Sequence, residues 1–239
     1  MPQTTFRFKQ FTIEQDKTAM KVGTDGVLLG AWAEFPENGK ILDVGTGTGL
    51  LALMAAQKTN AIITAIEPDP DSYSQALQNI NASVWNKRIN VCNSSVQEYA
   101  KSANEKFNFI ISNPPYHNEN VLSPDKKRNL ARNNQSLPLN VLIESISSLL
   151  NEEGSAAIIY PIAYFNDFCN LLALNDLFPQ RITKIRPIPD KEFHRFVLQF
   201  GKKQTIIIEN ELIIENGKRH HYSDEYKRLT QDFYLFYKM

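Results

Sequence analysis

The chain has 239 residues and a mass of 27.3 kDa, with 42% hydrophobic and 22% charged residues, an ordinary composition for a globular protein long enough to bury a substantial core. Lys and Arg number 26, as do Asp and Glu, so no global basic field marks a polyanion binder and any nucleic-acid contact must be local. Cys92 and Cys169 lie far apart without metal-ligand spacing, no apolar run reaches membrane-spanning length, and the start from Met1 to Phe8 lacks a secretion signal's apolar stretch, so a reduced cytoplasmic protein without metal or membrane anchor is expected.

Residues 1–39 read as a prelude. Phe6, Phe8, Phe11 and Ile13 alternate well enough for a short hairpin. Gly23-Thr24-Asp25-Gly26 then precedes an apolar run from Val27 to Trp32, which predicts a shaped loop feeding a helix that starts near Asp25. Two readings stand for this loop. Thr24 or Asp25 is a simple helix N-cap, or the loop closes over a ligand.

Lys40 to Val44 predicts a strand, which runs into Gly45-Thr46-Gly47-Thr48-Gly49 and then a strong helix former from Leu50 to Ala56. Strand, glycine turn and helix together are the geometry of a nucleotide site at the carboxyl end of a parallel strand. The glycines fall as G-x-G-x-G behind Asp43 rather than as the G-x-G-x-x-G that admits a pyrophosphate, and no Gly-Lys-Ser/Thr follows. A phosphate-bearing cofactor is therefore disfavoured. A second strand, Ala61 to Ile66, ends at Glu67, where a carboxylate about 20 positions after the first turn can accept hydrogen bonds from ribose hydroxyls. Pro68-Asp69-Pro70 closes that strand and opens a helix striped by Ala76, Leu77 and Ile80. A third strand, Arg88 to Cys92, delivers Asn93-Ser94-Ser95 to the position that faces a nucleoside's adenine ring.

The fourth strand, Phe107 to Ser112, stops at Asn113-Pro114-Pro115-Tyr116. Two prolines cannot continue a sheet, and the residue before a proline is pushed into extended geometry. Asn113 is thus presented at a strand end. Its side-chain carbonyl and the Pro114 main-chain carbonyl can accept both protons of a planar amine and aim the nitrogen lone pair at an electrophile. Tyr116 can stack on an attached ring. The competing reading is a plain polyproline turn.

Leu139, Leu142, Ile143, Ile146 and Leu149 recur at helical spacing over 137–150, with Gly154 ending that helix. A fifth strand (155–160), a helix (about 162–174) and two strands (181–186 and 195–200) complete the pattern. Alternating strands and helices argue for a doubly wound, mostly parallel sheet whose ligands sit outside the carboxyl ends of the strands. Gly45, Glu67, Ser95 and Asn113 would share that rim. Two basic stretches accompany it. Lys126, Lys127, Arg128 and Arg132 follow the Asn-Pro-Pro-Tyr turn. Residues 181–203 hold Arg181, Lys184, Arg186, Lys191, Arg195, Lys202 and Lys203 against Asp190 and Glu192, a local balance of +5. Such a patch suits phosphates, and a lysine-guarded strand edge is the alternative.

On these residues the chain resembles class I S-adenosylmethionine-dependent methyltransferases: Asp43 to Gly49 resembles their cofactor loop, and Asn113 to Tyr116 the amine motif of N6-adenine, N5-glutamine and some N2-guanine enzymes. Met20 to Trp32, Tyr222-Ser223-Asp224-Glu225-Tyr226 and Asp232-Phe233-Tyr234-Leu235 are similar to the bacterial enzymes that N6-methylate adenine 37 of tRNA1(Val). The resemblance implies one Rossmann-like domain over 1–239: a seven-stranded sheet with an antiparallel C-terminal strand, an N-terminal segment (1–39) that closes the cofactor site, and a C-terminal extension (204–239). It implies S-adenosylmethionine as cofactor and tRNA as substrate, and a monomer is expected. Gly45, Gly47 and Gly49 would carry the methionine end, Asp43 its amino group and Glu67 the ribose. Thr24 and Asp25 would close over the cofactor. Asn113, which also borders the cofactor, would clamp the target amine with Pro114 and Pro115, and Tyr116 would stack on the base. Ser95 stands where many relatives place an aspartate against the cofactor's adenine amine. Lys126, Lys127, Arg128, Arg132, Arg186 and Arg195 would meet RNA.

Overall fold

A computed structural model describes residues 4–18, 20–115 and 137–235. At its centre lies β3 (Lys40–Val44), whose residues beyond Lys40 are all buried. Ile41 faces one hydrophobic cluster, and Leu42 and Val44 face the other. A strand covered on both faces reads as a continuous apolar run rather than an alternating one, and 41–44 follow this except at Asp43, which is buried all the same. Full burial of each such apolar side chain stabilises by roughly 1.5–3 kcal/mol.

β3 pairs in parallel with β4 (Ile62–Ile66) on one side and β6 (Phe107–Ser112) on the other. β4 pairs in turn with β5 (Ile89–Cys92), and β6 with β7 (Leu150–Pro161), again in parallel. β9 (Arg195–Gly201) runs antiparallel between β7 and β8 (Phe178–Arg186). With β10 (Ile208–Ile213) at one edge, the order is β10-β8-β9-β7-β6-β3-β4-β5. One face carries α1 (Thr24–Trp32) and α2 (Leu50–Lys58), packed on Ile41, Ile63, Phe109 and Ile111. The other carries α5 (Leu139–Leu149) and α6 (Phe165–Leu174), packed on Leu42, Ile110 and Ile158. α3 (Pro70–Asn81) and α4 (Val96–Ser102) bridge the crossovers beside β5. The doubly wound, mostly parallel architecture expected from the sequence is present.

Three expectations differ in detail. The sheet has an eighth strand among the described residues, because β10 (Ile208–Ile213), placed above in the C-terminal extension, adds in parallel to β8. Gly154 does not cap a helix. α5 ends at Leu149, and Gly154 lies within β7 where the pairing to β6 slips between Phe107 and Phe109. A Cβ there would come within 2.8 Å of the Phe107 carbonyl, so the glycine serves close strand packing. The N-cap of α1 is Gly23, with no side-chain cap bond, so neither Thr24 nor Asp25 caps the helix.

The chain ends are wound together behind β3. β1 (Thr5–Arg7) and β2 (Thr12–Glu14) form the expected hairpin, with Phe6 opposite Ile13. Phe8 lies 6.0 Å from the Tyr234 ring, and the Lys9 amide donates to the Phe233 carbonyl at 2.8 Å. α7 (Asp224–Thr230) is capped by the Ser223 hydroxyl, which accepts from the Tyr226 amide at 3.0 Å. Asn79 of α3 ties this layer inward. Its amide group bonds both the Glu14 amide (2.9 Å) and carbonyl (2.8 Å), and donates to the Thr48 carbonyl of the glycine turn at 2.8 Å.

Candidate active site at the switch point of the sheet

From β3 the chain winds outward to β4 and β5, then returns to place β6 on the other side of β3. Such a reversal leaves a crevice outside the carboxyl ends of the two central strands. Val44 is in register with Ser112, and the Ser112 hydroxyl donates to the Val44 carbonyl at 2.8 Å. The next residues, Gly45 and Asn113, therefore leave the sheet from neighbouring strands, which lie about 4.8 Å apart.

Gly45 (φ +70°), Gly47 (φ +58°) and Gly49 (φ +83°) all adopt left-handed backbone, where a side chain is strained. A Cβ at 45 or 47 would meet nothing within 4 Å, so the turn encloses open space that a ligand can enter. Beneath it, Asp43 is fully buried. Its Oδ2 accepts from the Thr46 hydroxyl (2.5 Å) and the Ala52 amide (3.1 Å), while its Oδ1 has no hydrogen-bond partner. Burial pushes its carboxyl up to about 7, opposed by those two bonds and reinforced by Glu67. Glu67, 8% exposed, accepts from the Gly47 amide at 2.9 Å and the Asp69 amide at 3.1 Å. Burial raises its pKa as well, against the two amide bonds. Glu67 thus shapes the glycine turn directly. Asn93, placed at the third strand's end from sequence but given no role of its own, orients the start of the next loop by donating to the Glu67 and Pro68 carbonyls at 2.8 and 3.2 Å. An amide side chain just past a strand end is the signal that could have found it.

Ser95 caps α4. Its hydroxyl accepts from the Glu98 amide at 3.2 Å while Glu98 Oε2 accepts from the Ser95 amide at 3.1 Å, a reciprocal capping box, and the hydroxyl also donates to Glu98 Oε2 at 2.7 Å. Any bond to a cofactor amine competes with that arrangement.

Asn113 is half-buried and Pro114 buried. A Cβ on Gly26 would lie a tight 3.1 Å from Leu50 and an ordinary 3.6 Å from Asn113 Nδ2, so the first turn of α1 sits beside both and glycine eases its approach to Leu50. Gly26 therefore lies beside Asn113 and the first residue of α2, with Thr24 and Asp25 just before it in the same helix turn. Tyr116 lies outside the described residues, as do Lys126, Lys127, Arg128 and Arg132.

The local positive balance of 181–203 does not survive folding. Lys184 faces Glu209 (3.8 Å), Arg186 faces Glu211 (3.6 Å), Lys202 faces Glu152 (2.8 Å) and Lys203 faces Glu153 (2.6 Å). Arg195 pairs with Asp25 at 3.0 Å. Arg181 pairs with Glu34 and stacks 3.6 Å over the Trp32 ring. The carboxylates come from elements remote in sequence, which a window sum omits. Arg186 also stacks 3.8 Å over Phe193. Among the described residues no group of three or more His, Cys, Asp or Glu could hold a metal, and no helix is long and apolar enough to cross a membrane.

The donor set fits S-adenosylmethionine. Open glycine space, a buried carboxylate with a spare oxygen and a second carboxylate at the next strand end suit a ligand with a cationic amine, a sulfonium and a ribose, and no phosphate. The described fold aligns over 87% of this chain and 96% of a solved protein titled a predicted O-methyltransferase from Agrobacterium tumefaciens, at TM-score 0.69 and 17% identity. A TehB-like SAM-dependent methyltransferase from Corynebacterium glutamicum aligns over 77% and 90%, at TM-score 0.51 and 19% identity. Residues 20–138 match the family model described as Methyltransferase small domain. The fold is that of a class I S-adenosylmethionine-dependent methyltransferase. At full length the similarity is narrower. The chain is 42% identical over 233 residues to a protein of Flavobacterium johnsoniae, covering 96% of this chain and 99% of that one. It is also 42% identical over 236 residues to one of Trichodesmium erythraeum, covering 97% and 98%. Both relatives carry the name tRNA1(Val) (adenine(37)-N6)-methyltransferase, and the chain belongs to that family.

Proposed function

We propose that this protein transfers a methyl group from S-adenosylmethionine to the exocyclic N6 of an adenine in tRNA, at position 37 of tRNA1(Val). The observation that carries the reading is the register of Val44 with Ser112, which delivers the glycine turn and Asn113 side by side. Full-length similarity to relatives of that name supports the substrate.

The cofactor, when bound, supplies an electrophilic methyl group. The glycine turn and Glu67 orient it from the β3–β4 side. From the β6 side, the Asn113 side-chain carbonyl and the Pro114 carbonyl accept the two amine protons, which turns the nitrogen lone pair toward the crevice. Positioning of this kind supplies most of the acceleration in a bimolecular transfer. The methylated amine then releases its proton to water, so no strong general base is required. The target base must leave its stack, at a cost of a few kcal/mol that is least in a single-stranded loop. Arg186 stacked on Phe193 is a candidate RNA contact on the sheet's β8 side. A tRNA substrate sets the working compartment as the cytoplasm. Residues 1–239 are read as one catalytic unit, supported by the bond from Lys9 to Phe233 that joins the chain ends.

The test is incubation of total tRNA lacking this modification with labelled S-adenosylmethionine, followed by nucleoside analysis. Label in N6-methyladenosine is expected, and label in a protein glutamine instead would overturn the substrate. Asn113→Ala is expected to lose transfer while binding cofactor within about threefold of wild type. Unchanged transfer to tRNA would sink the amine clamp.

A further inference from the structure

Arg195 and Asp25 are 170 positions apart, yet their pair joins the sheet to the turn that borders Asn113. Arg195 opens β9 and lies in register with Pro161 at the end of β7. Its Nε donates to Asp25 Oδ2 at 3.0 Å and its Nη1 to the His194 carbonyl at 3.0 Å. The two side chains are 25% and 26% exposed, so the pair is largely withdrawn from solvent. Asp25 sits in the first turn of α1, closed by the Val27 amide donating to the Gly23 carbonyl at 3.3 Å and seated on buried Val27 and Leu28. The Gly23 N-cap makes no side-chain bond, and Thr24 is exposed. One residue further, Gly26 packs against Asn113.

We propose that Arg195 is a positioning residue. Through Asp25 it pins the first turn of α1 against Asn113 and the glycine turn, and it acts on cofactor retention rather than on an RNA phosphate. This inference rests on the S-adenosylmethionine reading only where affinity is concerned, because the pinning is a property of the protein without ligand. Guanidinium geometry supports the assignment. Two of its donor nitrogens are engaged by the protein's own acceptors, and a pair at this depth is screened by salt far less than an exposed one. Loss of Arg195 leaves Asp25 unpaired at a partly buried position and frees the turn. When the competent arrangement falls to about one-tenth of the population, apparent cofactor affinity falls about tenfold.

The test uses the full chain with Arg195→Leu, Arg195→Lys and Asp25→Asn. Amide hydrogen exchange of the ligand-free protein should quicken at 24–28 in Arg195→Leu and Asp25→Asn, with α2 and β6 unchanged as internal standards. Calorimetry should give S-adenosylmethionine binding about tenfold weaker in Arg195→Leu and partly restored in Arg195→Lys. The dependence of tRNA affinity on salt should keep its slope. The proposal is overturned if exchange at 24–28 and cofactor affinity stay at wild-type values while the salt slope drops by about one, the mark of a lost phosphate contact. If Arg195→Leu does not fold, Asp25→Asn decides by the same exchange readout, and unchanged protection there overturns the proposal. Quickened exchange in a protein whose wild type binds no S-adenosylmethionine would uphold the latch and refute the cofactor reading.

Discussion

Asp43 offers a stability measurement that probes the floor of the site. Its carboxyl is fully buried, and burial raises its pKa from the ordinary 3.8 to about 7. The folded state therefore holds the proton more tightly than the unfolded chain does. A raised folded pKa contributes stability that is complete below pH 3.8 and is lost as pH rises through about 7. At about 1.36 kcal/mol per pH unit, the full span is worth about 4 kcal/mol. Between pH 5 and pH 8 the wild type should lose about 2.5 kcal/mol through this group alone. Asp43→Asn keeps the shape and an acceptor for Thr46 and Ala52 but cannot ionise. Urea unfolding of the ligand-free protein at both pH values, for wild type and variant, isolates the term by difference. The variant should lose about 2.5 kcal/mol less than wild type over that interval. Equal losses in the two proteins would mean that Asp43 is already ionised at pH 5, and the account of the buried, half-satisfied carboxylate would be wrong.

Three further outcomes follow from the site. Glu67→Gln keeps an acceptor but removes the charge facing the Gly47 and Asp69 amides, so cofactor affinity measured by calorimetry should fall about tenfold, as hydrogen bonds to charged groups are worth about 1.5–3 kcal/mol. Retention of full affinity would remove Glu67 from the binding set. Gly47→Ala has room for its methyl but must hold φ +58°, so the melting transition should reveal a cost of about 1–2 kcal/mol. An unaltered transition would show that the turn relaxes freely. Arg186→Ala breaks a surface ion pair and should cost under about 1 kcal/mol of stability, while lowering the salt slope of tRNA binding by about one if Arg186 meets a phosphate. An unchanged slope would exclude that contact.

Local sequence carried the parts of the protein that depend on local physics. Strand, glycine turn and helix at 40–58 follow from apolar runs and from backbone that only glycine adopts cheaply. The stop at 113–115 follows from two prolines, and register then follows from strand order. These determine the rim on which Glu67 and Asn113 stand. What residues 24–26 do needed the tertiary structure, because Gly26 has its meaning only against Asn113 and Leu50. Ser95 stands in sequence where a contact to the cofactor's adenine is expected, yet Glu98, three residues later, engages it. The charge of 181–203 is where a sum over the sequence departs furthest from the folded chain. Coulomb attraction acts through space, and the carboxylates of Asp25, Glu34, Glu152, Glu153, Glu209 and Glu211 reach those cations only once the sheet has assembled. Sequence determined which chemistry stands at the strand ends, since each motif is contiguous. The tertiary structure alone decided which charges are paired, since each pair joins separate elements.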